Sequence, residues 1–152
     1  MIPSARNQQV LRFHPVTRES GADEVLKNIR LGGALPELHL PLEGTEPEAF
    51  IVVCSTIEEG PYVDIDLGIA AQSMLLKAVS MGLNGIIICA FKRDAIQQAL
   101  SLPYPPLAVI AIGKGAEKIV LEPISEQDSH KYYRTPDNVH HVPKLTLDEI
   151  LV

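Results

Sequence analysis

The stretch from Ile65 to Met81 constrains this fold more than any other part of the chain. Leu67, Ala71, Met74, Leu75, Ala78 and Val79 recur at the 3.6-residue period of an α-helix. The polar residues Asp66, Ser73, Lys77 and Ser80 fall near one narrow stripe. Most of the circumference is apolar, so the spacing predicts a largely buried helix over 65–81. Pro61 is expected to break the chain before it, Asp64 can cap it, and Gly82 closes it.

A helix buried on most sides needs a sheet to lie on. Phe50–Thr56 is a continuous β-branched run, the pattern of a buried strand. Ile86–Cys89 and Leu107–Ile112 are expected to be two more buried strands, the latter ending at Gly113. Val10–Val16 is a candidate strand with Pro15 near its end, and Lys118–Leu121 a short further one. Ser20 stands three positions before Asp23, which resembles a capping box, and Gly21–Arg30 follows as a short amphipathic helix stopped by Gly32-Gly33. Residues 35–47, with three prolines, have no period and are expected to be a loop. A third helix over 93–101 would bury Ala95, Ile96, Ala99 and Leu100, with Pro103, Pro105 and Pro106 preventing its continuation. The tail is polar from Pro123 to Val142, then apolar at Leu145, Leu147, Ile150, Leu151 and Val152; such an end must be covered by its own domain or by a partner. The sum is an α+β chain with a mixed sheet and helices packed on it, in a single domain over 1–152.

Bulk properties exclude several classes of function. A formal net charge of −6 and a pI near 5.3 argue against a nucleic-acid surface, which needs concentrated Lys and Arg. The longest apolar runs are far short of a membrane span, and no apolar segment of a signal peptide follows Met1, so the chain reads as cytoplasmic. Cys54 and Cys89 lie in apolar runs without metal spacing and read as free thiols. The five histidines form no metal-ligand pattern, and adjacent His140 and His141 would point to opposite faces of an extended segment. Gly113-Lys114-Gly115 lacks the spacing of a phosphate loop and reads as a turn.

The residues that point to chemistry begin at Pro3-Ser4-Ala5-Arg6-Asn7-Gln8-Gln9. Amide side chains at this spacing offer donors and acceptors to a flat heterocycle with polar edges. Local capping by Ser4 and Asn7 is the plainer alternative. Further along, Asp66-Leu67-Gly68-Ile69-Ala70-Ala71-Gln72 through Leu76, Ala78 and Gly82-Leu83 resembles the central helix of the nitroreductase family, D-x-G-x-A-x-Q-x-x-x-L-x-A-x-x-x-G-L. Ile86–Phe91 looks like that family's next strand, Asp94–Pro103 like its following helix, and Leu107–Gly113 like its next buried strand. Pro3–Gln9 is similar to its P-S-x-x-N-x-Q motif, and Tyr132-Tyr133-Arg134 with His141-Val142-Pro143-Lys144 resembles the C-terminal segment of short bacterial members.

The resemblance implies an α+β sandwich, a homodimer whose C-terminal segment is exchanged with the partner subunit, and FMN at the subunit interface. It implies an oxidoreductase in which NAD(P)H reduces a nitroaromatic, quinone or similar electron-poor acceptor through that flavin. Ser4, Asn7 and Gln9 then fall near the flavin ring, with Arg6 as a positive charge near ring or phosphate. Ile88, Cys89 and Ala90 match the turn whose backbone faces flavin N5, with Ala90 where the family often has glycine. Read from its residue type alone, Cys89 is a small buried hydrophobe. Lys131, Arg134 and Lys144 match the basic positions that meet phosphate, and a solvated basic surface is the alternative. Two features depart from the family. Only Met1 and Ile2 precede the Pro-Ser motif where an Arg-rich arm is usual, and Val10-Leu11 replaces Pro-Trp. They motivate the alternative of a degenerate nitroreductase-like dimer with weak or no FMN binding and a non-catalytic binding role.

Overall fold

A computed structural model describes residues 2–33, 35 and 38–152. Packing gathers the chain into two compact units, Met1–Gly115 and Ala116–Val152.

The first unit is built on four strands: β1 (Leu11–Val16), β2 (Ala49–Ser55), β3 (Asn84–Ile88) and β4 (Pro106–Gly113). They lie in the order β1-β2-β4-β3, every pair antiparallel. The helices are α1 (Ala22–Leu26), α2 (Pro61–Ser80) and α3 (Arg93–Ala99). Alternation along the central strands divides the core between the two faces of the sheet. Val52, Cys54, Val109 and Ala111 pack with Ala22 and Val25 of α1 and Ile96 of α3. Val53 and Ile110 point the other way, onto Val63, Ala70 and Ala71 of α2. Helices therefore cover both faces, and for that reason β2 and β4 read as unbroken apolar runs although their pairing is antiparallel.

Several boundaries differ from the sequence reading. α2 starts at Pro61, not after it. Proline suits the first helical turn, where its missing N–H has no acceptor to lose and its φ is preset. Nor is α2 largely buried: Val63, Asp66, Ala70, Ala71 and Ala78 face inward, while Ile65, Leu76 and Val79 are exposed. β3 is likewise an edge strand rather than a buried one, with Ile86 and Ile87 exposed and only Ile88 inside. α1 is one and a half turns long, and the reciprocal capping pair forms earlier, between Thr17 and Ser20. In α3 Ile96 is buried but Ala99 is exposed. The described residues of segment 35–47 hold no α-helix or strand, and Leu38 N–H closes a 3₁₀-type turn on Leu35 O at 3.1 Å; Pro36 lies outside them.

Two glycines are required by geometry. Gly82 takes φ +74° to end α2, where Leu83 N–H reaches back to Ala78 O at 2.9 Å. A Cβ on Gly85 would come within 2.5 Å of Leu75 Cδ2 and 2.9 Å of Ala111 O, so only glycine lets β3 lie this close to α2 and β4.

The second unit is a three-stranded sheet of mixed pairing. β5 (Lys118–Ile124) runs parallel to β7 (Val139–Leu145), and β6 (Tyr133–Arg134) pairs with β7 antiparallel. β6 and β7 lie in the stretch read as a polar tail. The short helix α4 (Leu147–Ile150) follows, with Leu147, Ile150, Leu151 and Val152 exposed.

Candidate functional site

Residues 3–9 form a turn. Ala5–Asn7 makes one 3₁₀ turn, and Arg6, Asn7 and Gln9 all take left-handed φ values of 51–54°. Non-glycine residues adopt that region at a cost and need outside contacts to hold it. Gln9 N–H donates to Ser4 Oγ at 3.1 Å, and the Gln9 side-chain amide donates to Asn7 Oδ1 at 3.1 Å. Arg12, on β1, donates to the Gln9 carbonyl at 2.8 Å. Arg6 stands over the Tyr62 ring at 5.6 Å. From α2, the carboxylate of Asp66 accepts the Ala5 N–H at 2.8 Å.

These contacts shape a cavity of about 580 Å³. Ser4, Asn7, Gln9, Arg12 and Asp66 give it polar groups, and Val10, Leu11 and Phe13 an apolar wall. The volume and the mixture suit a small flat ligand with one polar edge. Ser4, Asn7 and Gln9 thus line one cavity together. Arg6 is not part of the lining; it holds the turn from outside. Arg12 and Asp66 complete the lining; the sequence reading assigned neither to the site, although Asp66 opens the family-like helix motif. Arg12 follows the motif by three positions and reads there as a strand residue. Asp66 is 61 residues from the amide it holds, and no local spacing reveals that pairing.

Ile88, Cys89 and Ala90 lie elsewhere. Ile88 ends β3 and Cys89 and Ala90 follow it, at the edge of the sheet opposite β1, with β2 and β4 between. Ile88 is buried, while Cys89 and Ala90 are exposed, so Cys89 is not the small buried hydrophobe expected from its run. Ala90 is tied down through its carbonyl, which accepts Arg30 N–H at 2.8 Å. The buried thiol is Cys54, whose pKa burial pushes up to about 11.

Lys131, Arg134 and Lys144 belong to the second unit. Both lysines are exposed. Arg134 is mostly enclosed and ion-paired with Glu117, and its Nη1 donates to Asn138 at 3.1 Å. Adjacent His140 and His141 each meet a different glutamate, Glu117 at 3.2 Å and Glu122 at 2.6 Å, as alternation on β7 requires. Tyr133 stacks on His141 with ring centroids 4.9 Å apart and donates to Glu122, which raises the phenol pKa.

The fold is that of an α+β sandwich shared with solved nitroreductase-type proteins. A nitroreductase family protein of Streptococcus pneumoniae TIGR4 superposes with a TM-score of 0.63 at 19% identity, covering 99% of this chain and 82% of that one. Another from Clostridium difficile 630 gives 0.58 at 22% identity, covering 76% and 66%. An FMN-dependent nitroreductase of Clostridium difficile R20291 gives 0.59 at 22%, covering 78% and 70%. The chain spans 66% of the length of the Clostridium difficile 630 protein and of a Clostridium novyi NT relative, just under two thirds. A comparison with curated proteins finds no match. The model of the nitroreductase family matches residues 39–114, half of the chain. The chain belongs to the nitroreductase family. Among the described residues no helix is long and apolar enough to cross a membrane.

Proposed function

We propose that this protein is an FMN-dependent oxidoreductase that uses NAD(P)H to reduce nitroaromatics, quinones or similar electron-poor acceptors. The observation that carries the reading is the cavity under the N-terminal turn, where Ser4, Asn7 and Gln9 converge beside an apolar wall. An isoalloxazine ring asks for that combination, with donors and acceptors at its pyrimidine edge and apolar contact along its face. When bound, FMN supplies the hydride and electron chemistry; the protein supplies binding, orientation and exclusion of water. In this reading the Asn7 and Gln9 amides hold the ring edge, Ser4 fixes the backbone between them, and Arg12 lends positive charge.

The same reading makes the protein a homodimer whose two units act as one nitroreductase-like domain. Ile88–Ala90 stand at the far edge of the sheet from the cavity, so a second copy supplies them. The exposed apolar face of α2 and β3, with Ile65, Leu76, Val79, Ile86 and Ile87, gives that copy a surface to cover. Lys131 and Lys144 are the cations offered to phosphate. Arg134 would have to leave Glu117 to join them, and this pairing favours a second reading in which FMN is held weakly and the dimer only binds. The test is the absorbance of the purified protein, an FMN titration, and NAD(P)H oxidation with a quinone or nitroaromatic. Flavin uptake with turnover is expected. A colourless protein that takes up no FMN would overturn the reading, and uptake without turnover would leave the binding role.

A further inference from the structure

We infer that Asp66 is a positioning residue: its carboxylate, reaching from α2 to the Ala5 amide, holds the turn that carries Ser4, Asn7 and Gln9 in the shape that binds a flavin. The binding half of this inference rests on the function proposed above.

Asp66 is only 3% exposed, on a helix face whose other inward residues are Val63, Ala70, Ala71 and Ala78. A carboxylate there is costly unless it is hydrogen-bonded. Its Oδ1 accepts the Ala5 N–H at 2.8 Å, and Asp66 also lines the cavity. The turn it holds cannot hold itself. Three non-glycine residues with positive φ sit within four positions, and the bonds inside the turn, from the Asn7 and Gln8 amides to the Ser4 and Ala5 carbonyls and from Gln9 to Ser4 and Asn7, tie its parts only to each other. The Ala5 bond ties the turn to α2 by a hydrogen bond, beside the stacking of Arg6 on Tyr62 of the same twenty-residue helix. Ala5 opens the 3₁₀ turn, so its amide direction sets the path of the next residues. Asp66 need not touch the flavin to govern how well the turn receives it.

Three variants separate this role from plain stability. Asp66→Ala removes the acceptor. Asp66→Asn keeps an acceptor oxygen and removes the charge. Ala5→Pro removes the donor alone, at a position where proline is tolerated because Ser4 before it is extended and Ala5 is the first residue of the turn. In a fluorescence-quenching titration, Asp66→Ala and Ala5→Pro are each expected to weaken FMN binding about tenfold to hundredfold, the worth of one charge-assisted hydrogen bond. The double variant should lose no more than either single one, and Asp66→Asn, which keeps a neutral acceptor, should lose less than either, about threefold to tenfold. In parallel, amide exchange at Ala5, read by NMR on the protein without flavin, should be slow in wild type and faster in Asp66→Ala. Wild-type FMN affinity in both Asp66→Ala and Ala5→Pro would overturn the inference. So would equal Ala5 exchange in wild type and Asp66→Ala, or fast exchange in wild type, which also decides the matter if the alanine variant fails to fold. A wild-type protein that takes up no FMN would break the proposed function instead, leaving the Ala5 exchange to judge Asp66.

Discussion

β4 and β3 are neighbours in one sheet and each carries an unbroken apolar run, yet they live in different surroundings. In β4, Ala108, Val109 and Ile110 are each 0% exposed, because β2 and β3 flank the strand and helices cover both faces. In β3, Ile86 is 51% and Ile87 41% exposed, because the strand ends the sheet. The contrast extends to the cysteines: Cys54 in β2 is enclosed, and Cys89 just beyond β3 is open. Apolar content makes a strand, and its place in the sheet decides whether the strand is core or surface. An apolar edge left open in one chain is a surface for a second copy to cover.

The largest break in this comparison should come from Ile110→Ala. The cavity it leaves lies between β4 and α2, and urea denaturation should show a loss of about 2–5 kcal/mol. A loss under about 1 kcal/mol would mean the interior strand is not packed as described. Cys54 offers the next effect, through pH. Its folded pKa is raised from 9.0 to about 11, while the unfolded thiol ionises near the ordinary value. Below pH 9 both states hold the proton. Between pH 9 and 11 the unfolded state loses it first, so stability falls, by an amount on the order of 2–3 kcal/mol. Cys54→Ala should remove that part of the decline. Iodoacetamide at pH 8 should label Cys89 and spare Cys54 in the folded protein, as peptide mass spectrometry would show.

Smaller effects belong to the open edge. Arg93, at the start of α3, pairs with Glu59 across exposed surface and holds its carboxyl below the usual range. Arg93→Ala should cost no more than about 1 kcal/mol, and less in high salt. The smallest effect on the isolated chain should be Ile86→Ser, within about 0.5 kcal/mol in dilute solution. It also sharpens the comparison most. If a second copy covers β3, the wild-type melting temperature should climb with protein concentration and that of Ile86→Ser should not. Concentration-independent melting of both would leave the edge bare.

Most of the first unit was legible because burial on two faces writes a plain signal. β2 and β4 were found within a residue or so, since nothing polar interrupts a strand covered by helices on both sides. α2 was found from its period, but its start was misplaced, because Pro61 was weighed as a breaker and not as a first-turn residue. β6 and β7 were missed: they are short or rich in His and Tyr, whose pairing with Glu117 and Glu122 no spacing foretells. At the site, Ser4, Asn7 and Gln9 were legible as a motif; Arg12 was not, and Asp66 was legible only as part of a separate helix motif. A motif records neighbours along the chain, whereas Asp66 is a neighbour only after α2 has packed on the sheet.

The sequence by itself determined most elements of the first unit, the family and the amide-rich motif, because periodicity, β-branched runs and motif spacing are local properties. Only the tertiary structure decided which apolar strand is core and which is edge. It separated Ile88–Ala90 from the cavity by two strands, and it set a buried carboxylate against the Ala5 amide. Those outcomes depend on strand order and helix packing, which bring residues together across distances in the chain that no local pattern spans.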